Sequence, residues 1–118
     1  MKENVLKGKS FDFALRIVKL YKYLQEEKKE YIMSKQLMRS GTSVGAMVRE
    51  AEFAESKSDF VHKMAIAQKE TNETLYWLEL LDASEYLTSQ QFESINTDAI
   101  EMIKLITSSI KTTKKINH

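Results

Sequence analysis

Gln36-Leu37-Met38-Arg39-Ser40-Gly41-Thr42-Ser43-Val44-Gly45-Ala46-Met47-Val48-Arg49-Glu50-Ala51 sets two of the chain's three glycines four residues apart on an otherwise helical pattern. Glycine inside a helix costs about 0.5–1 kcal/mol relative to alanine. Two of them, with Ser40, Thr42, Ser43 and Ala46 around them, imply a helix that another backbone approaches closely. Leu37, Gly41, Val44, Val48 and Ala51 fall at steps of four, three, four and three, which makes one buried stripe. Gly41 lies on that stripe and Gly45 beside it, so both are assigned to close helix packing, within one subunit or between subunits. With Ser34 as its cap, this helix is predicted over about 35–54.

Upstream, Ser10 stands as an N-cap before an apolar-rich segment with Asp12 in its first turn, and the pattern predicts a helix over about 10–28. Phe11, Phe13, Ala14, Ile17, Val18, Leu20, Tyr21 and Leu24 cover about half its circumference. Downstream, Ser56 and Asp59 resemble a capping box for a helix over about 57–87. The first half of that helix has a single face of Phe60, Met64, Ala67 and Thr71, whereas Leu75-Tyr76-Trp77-Leu78 with Leu80-Leu81 is apolar nearly all round. Thr88-Ser89-Gln90-Gln91 fits the capping box fully and opens a last helix over about 89–114, with Phe92, Ile95, Ala99, Met102, Ile103, Ile106 and Ile110 as its core face.

At 118 residues with no proline, the chain is predicted to be all-α: a single antiparallel up-down-up-down four-helix bundle spanning 1–118, frayed at 1–8 and 116–118. The absence of cysteine excludes disulfides, thiolate metal sites and cysteine nucleophiles. No segment approaches the roughly 18 apolar residues of a membrane span, and no apolar run of signal-peptide length opens the sequence, so a cytoplasmic location is expected.

The combination Arg39-Ser40-Gly41-Thr42-Ser43-Val44-Gly45-Ala46, then Glu55-Ser56-Lys57-Ser58-Asp59-Phe60, Lys63 and Glu70-Thr71-Asn72-Glu73-Thr74-Leu75-Tyr76-Trp77-Leu78 resembles a bacterial family. These are the four-helix bundle proteins first noticed as reading frames within intervening sequences of 23S ribosomal RNA genes. The resemblance covers about residues 10–114. It implies a ring-shaped homopentamer and kinship with the accessory variability determinant of diversity-generating retroelements, a protein that binds nucleic acid and a reverse transcriptase. It brings no settled biochemical activity. Two departures from the family pattern stand out: Met47 where many members have asparagine, and the acidic Glu50-Ala51-Glu52-Phe53-Ala54-Glu55 where many have glycine and basic residues.

Few residues invite catalysis. Asp59 and His62 have the i, i+3 spacing of bundle di-metal sites, yet no second such motif exists and His118 is at the end of the chain. The serines lack a positioned histidine base and read as caps and small packing residues. The expectation is therefore no enzyme, no metal and no cofactor.

Charge is more informative. Residues 64–103 hold one base, Lys69, and eight acids, for −7, while the remaining 17 bases and 9 acids give +8. The bundle topology gathers Lys2, Lys7, Lys9, Lys111, Lys114 and Lys115 at one end, a candidate surface for RNA or DNA phosphates. Glu79, Asp82, Glu85 and Glu93 lie toward the other end, where a partner protein is the alternative occupant. The all-round apolarity assigns Phe13, Leu20, Tyr76, Trp77 and Leu80 to a contact between subunits of a homo-oligomer.

Overall fold

The glycine-bearing stripe is helical throughout in the computed structural model, which describes residues 2–116, with side-chain surroundings from Val5 onward. Four helices follow one another: α1 Lys2–Glu26, α2 Met33–Glu52, α3 Lys57–Ala83 and α4 Ser89–Ile116. Sequential neighbours pack together and α4 returns to α1, while the diagonal pairs α1/α3 and α2/α4 do not approach each other. The result is an up-down four-helix bundle 51 Å long and 21 by 20 Å across.

The two glycines sit where α1 crosses α2. A Cβ on Gly41 would stand 2.7 Å from Ile17 Cγ1 and 2.9 Å from Ile17 Cγ2, and one on Gly45 would stand 3.3 Å from the Ser10 carbonyl oxygen. Ile17 is thus seated over bare backbone, and the two main chains close to a distance that larger residues forbid. Against α3, α2 offers a hydroxyl instead: Thr74 Oγ1 lies 2.9 Å from Ser40 Oγ and donates to the Glu70 carbonyl at 2.8 Å. Both residues are fully buried, so this pairing satisfies groups that would otherwise be costly.

Helix 1 starts well before residue 10. Leu6, Ser10, Phe13, Ile17 and Leu24 form one continuous inward stripe, and Leu6 is only 4% exposed. The core therefore holds residues 5–8 in helix, against the expected fraying. Ser10 is not a cap; its Oγ donates back to the Lys7 carbonyl at 3.0 Å from a buried position. The expectation of fraying at residue 1 and at 117–118 lies outside the described residues.

Nor does Ser34 cap α2. Glu30 does: its carboxylate accepts from the backbone N–H of Ile32 at 3.1 Å, Met33 at 2.9 Å and Ser34 at 2.7 Å. Ser34 Oγ returns a bond to the Glu30 carbonyl at 2.7 Å. This satisfies donors that every helix start leaves unpaired and places an anion at the positive end of the dipole. Burial of Glu30 pushes its carboxyl pKa up, but the N–H groups of Met33, Ser34 and Ile32 outweigh that and hold it below the ordinary range. The turn before it carries Lys29 at φ 56°.

The remaining boundaries move by a few residues. α3 stops at Ala83 rather than 87, because Glu85 adopts φ 69° and Tyr86 N–H returns to the Leu81 carbonyl at 2.9 Å, a Schellman-type stop. Ser56 Oγ accepts from Asp59 N–H at 3.0 Å, while the Asp59 carboxylate reaches back to Glu55 N–H at 3.2 Å. Thr88 and Gln91 make the reciprocal capping box, at 3.0 and 2.8 Å.

Candidate functional site

At the end where α1 begins and α4 finishes, the lysines divide into two groups. Lys7 pairs with Glu52 at 3.1 Å and Lys9 with Glu101 at 3.2 Å, so both are tied to carboxylates of their own chain. Lys63 similarly engages Glu50 at 3.5 Å and Asp59 at 3.8 Å. Lys111, Lys114 and Lys115 are exposed on the last turns of α4 and pair with no described residue. The side chain of Lys2 lies outside the described residues. Three of the six lysines singled out in the sequence are thus exposed together on one helix end, and two are internally compensated.

The residues expected between subunits divide as well. Phe13 is 2% exposed and belongs to the core of the protomer, which removes it from any surface role. Phe11, two residues earlier, is the exposed one at 54%. Leu20 is partly buried against the core and lines an open groove of about 520 Å³ between α1 and α4 with Arg16, Tyr23 and Gln91. Tyr76 and Leu80 stand on the outside of α3, 56% and 36% exposed. Trp77 lies beside them, half buried, edge-on to Tyr76 with ring centroids 5.0 Å apart.

Trp77 is held by a network that sequence reading missed. Its Nε1 donates to Glu73 at 3.0 Å, Arg39 of α2 donates to that same carboxylate, and Arg39 also reaches Glu70 at 3.1 Å. The Arg39 guanidinium, then the Trp77 N–H, hold the Glu73 carboxyl below the ordinary range; the bond to Glu73 in turn raises Arg39. Glu70, Glu73 and Trp77 share one helix face by spacing, which was visible; the arginine 31 and 34 residues away was not. A matching device joins α1 to α4, where Arg16 meets Asp98 at 2.5 Å and the Ser94 hydroxyl at 2.8 Å.

Neither arrangement resembles a reaction centre. Asp59 is committed to Glu55 N–H and Lys63, and His62 is exposed. Among the described residues no group of three or more His, Asp or Glu side chains is placed to hold a metal ion. No helix among them is long and apolar enough to cross a membrane.

What fold and surface define is a class: small four-helix bundles with a glycine-closed first helix pair and large apolar residues left on the outside. The chain belongs to the 23S rRNA-intervening sequence proteins, whose family pattern matches residues 2–108. It is similar to a crystal structure from Bacteroides thetaiotaomicron, described as a protein of unknown function from the S23 ribosomal protein family. The two share 60% identity and superpose with a TM-score of 0.93, over 94% of this chain and 99% of that one. No protein of curated function matches it.

Proposed function

We propose that the chain is a non-enzymatic, self-assembling scaffold whose lysine-rich end, formed by Lys111, Lys114 and Lys115 of α4, contacts nucleic-acid phosphates. The observation that carries this reading is the contrast between these three exposed lysines, unpaired with any described residue, and the neutralised Lys7, Lys9 and Lys63. A cation at a helix C-terminus interacts favourably with the dipole, but three within five residues exceed what one helix end requires. In a symmetric assembly the cluster recurs in every subunit, and in the homopentamer of the family resemblance it would do so five times, building a ring of positive potential.

A second reading is a ring that binds a partner protein and no nucleic acid. It is favoured by the exposed Glu79, Glu85 and Glu93 toward the opposite end. Titration of RNA and of DNA from low to moderate salt separates the two. The first reading expects affinity that falls with salt by about 0.7–0.9 log units per log unit for each phosphate neutralised. Changing Lys111, Lys114 and Lys115 to glutamate should then abolish binding. Absence of binding by the wild type at low salt would leave only the protein-partner reading.

A further inference from the structure

Two apolar surfaces of this bundle face away from each other. On α1 the inward stripe of Leu6, Phe13 and Ile17 puts Phe11 and Leu15 on the outside, 54% and 46% exposed. On α3 the inward stripe of Met64, Thr71 and Leu78 puts Tyr76 outermost with Leu80 beside it. Because α1 and α3 are diagonal in the bundle, these outer stripes point in opposite directions.

Their shapes are opposite too. Beside Phe11, the small residues Ala14, Thr42, Gly45 and Ala46 leave an open groove of about 450 Å³ between α1 and α2. The α3 stripe is a ridge, and its foremost ring, Tyr76, rests edge-on against Trp77, which Glu73 holds by its Nε1. A fixed aromatic side chain is the kind of group that contributes most at an interface, since it covers a large area with few rotors to immobilise.

Charge separates the two surfaces in the same sense. The groove is edged by the exposed Arg49, which is in no ion pair among the described residues, while its Lys7 is tied to Glu52 and its Glu50 to Lys63. The ridge is edged by the exposed Glu79, which is in no ion pair among the described residues, while Glu73 on its other side is compensated by Arg39. Ridge against ridge would oppose Glu79 to its own copy and leave both grooves open; ridge in groove brings unlike charges together.

We propose that a second copy of this chain is the occupant of the α1/α2 groove, entering with the Tyr76 and Leu80 ridge of α3. This rests on the self-assembly reading above and specifies its contact. The contact is heterologous: each copy offers its α1/α2 groove on one side and its α3 ridge on the other, so the arrangement propagates from copy to copy until it closes into a ring.

The test uses two full-length variants, Ala46→Arg to block the groove and Tyr76→Arg to block the ridge, both at exposed positions. Each alone should be monomeric by light scattering at micromolar concentration, with an unchanged circular dichroism melt. Mixed one to one, they should give a species of two chains and stop there, because only one intact groove and one intact ridge remain. Assembly that survives either substitution, or a mixture that stays monomeric, overturns the proposal. Arg49→Glu is a milder check: it should weaken assembly tenfold or more, and Glu79→Arg in the same chain should restore it, whereas a further loss counts against the contact. A wild type that is itself monomeric would refute the self-assembly reading, an outcome distinct from failure of this pairing.

Discussion

The α1–α2 seam and the outer ridge of α3 use side-chain size in opposite ways. At the seam Gly41 and Gly45 have almost no side chain to bury, yet a Cβ at Gly41 would collide with Ile17 and one at Gly45 would press on the Ser10 carbonyl. On the ridge Tyr76 and Leu80 carry large apolar groups that the protomer leaves in solvent. The seam therefore contributes to the stability of one chain, and the ridge contributes almost nothing to it. Large exposed apolar residues that the fold does not need are what an assembly surface requires.

Gly41→Leu should break this contrast most severely. Its Cβ already meets Ile17 at 2.7 Å, and the further carbons have no room in the core. A cost of about 3 kcal/mol or more, at the upper end for overpacking, should appear as loss of a cooperative thermal transition. Gly45→Ala sharpens the same point on a smaller scale. The new methyl would sit 3.3 Å from a main-chain oxygen that cannot rotate aside, and this crowding is offset in part by the better helix propensity of alanine, so a net destabilisation of about 1 kcal/mol is expected in urea unfolding.

Next comes the turn that leads into the seam. Glu30→Gln should cost about 0.5–2 kcal/mol, the usual range for losing a helix cap. It also carries a pH signature. The folded-state pKa of Glu30 lies below its ordinary 4.5, so the unfolded chain binds the proton more readily. The stabilisation is fully present above 4.5 and is lost as pH falls through the lower folded value. Melting temperatures measured down the acid range should show that loss in the wild type and a flatter profile in the variant.

Tyr76→Arg should leave protomer stability within about 0.5 kcal/mol, as surface changes usually do. Glu85→Gly, just past the end of the same helix, replaces a residue held at φ 69° and should raise stability by a few tenths of a kcal/mol, at most about 0.5, in chemical denaturation, the relief of left-handed strain being largely offset by backbone entropy.

Much of the fold was legible because it is written in short-range spacing. The four-three steps of α2, the Thr88 to Gln91 box and the Ser56 cap all depend on residues within one or two turns. Ser10 misled because it has the chemistry of a cap, while the evidence that the helix continues past it is a single upstream leucine, Leu6. Glu30 was hidden in the charged run from Glu26, where nothing distinguishes a buried carboxylate from a solvated one. Phe11 and Phe13 show why the surface was harder still. On an apolar half-cylinder, which of two neighbouring phenylalanines points inward depends on where the partner helices lie. The division among the lysines was equally invisible, since Lys7 and Lys9 find their carboxylates 45 and 92 residues away.

Self-assembly through the α3 ridge is the central claim, and the solution mass tests it most directly. Multi-angle light scattering at micromolar concentration should give a multiple of the 13.7 kDa chain mass for the wild type and 13.7 kDa for Tyr76→Arg, with matching melts. A wild-type mass of 13.7 kDa, or an undiminished assembly in Tyr76→Arg, would contradict it.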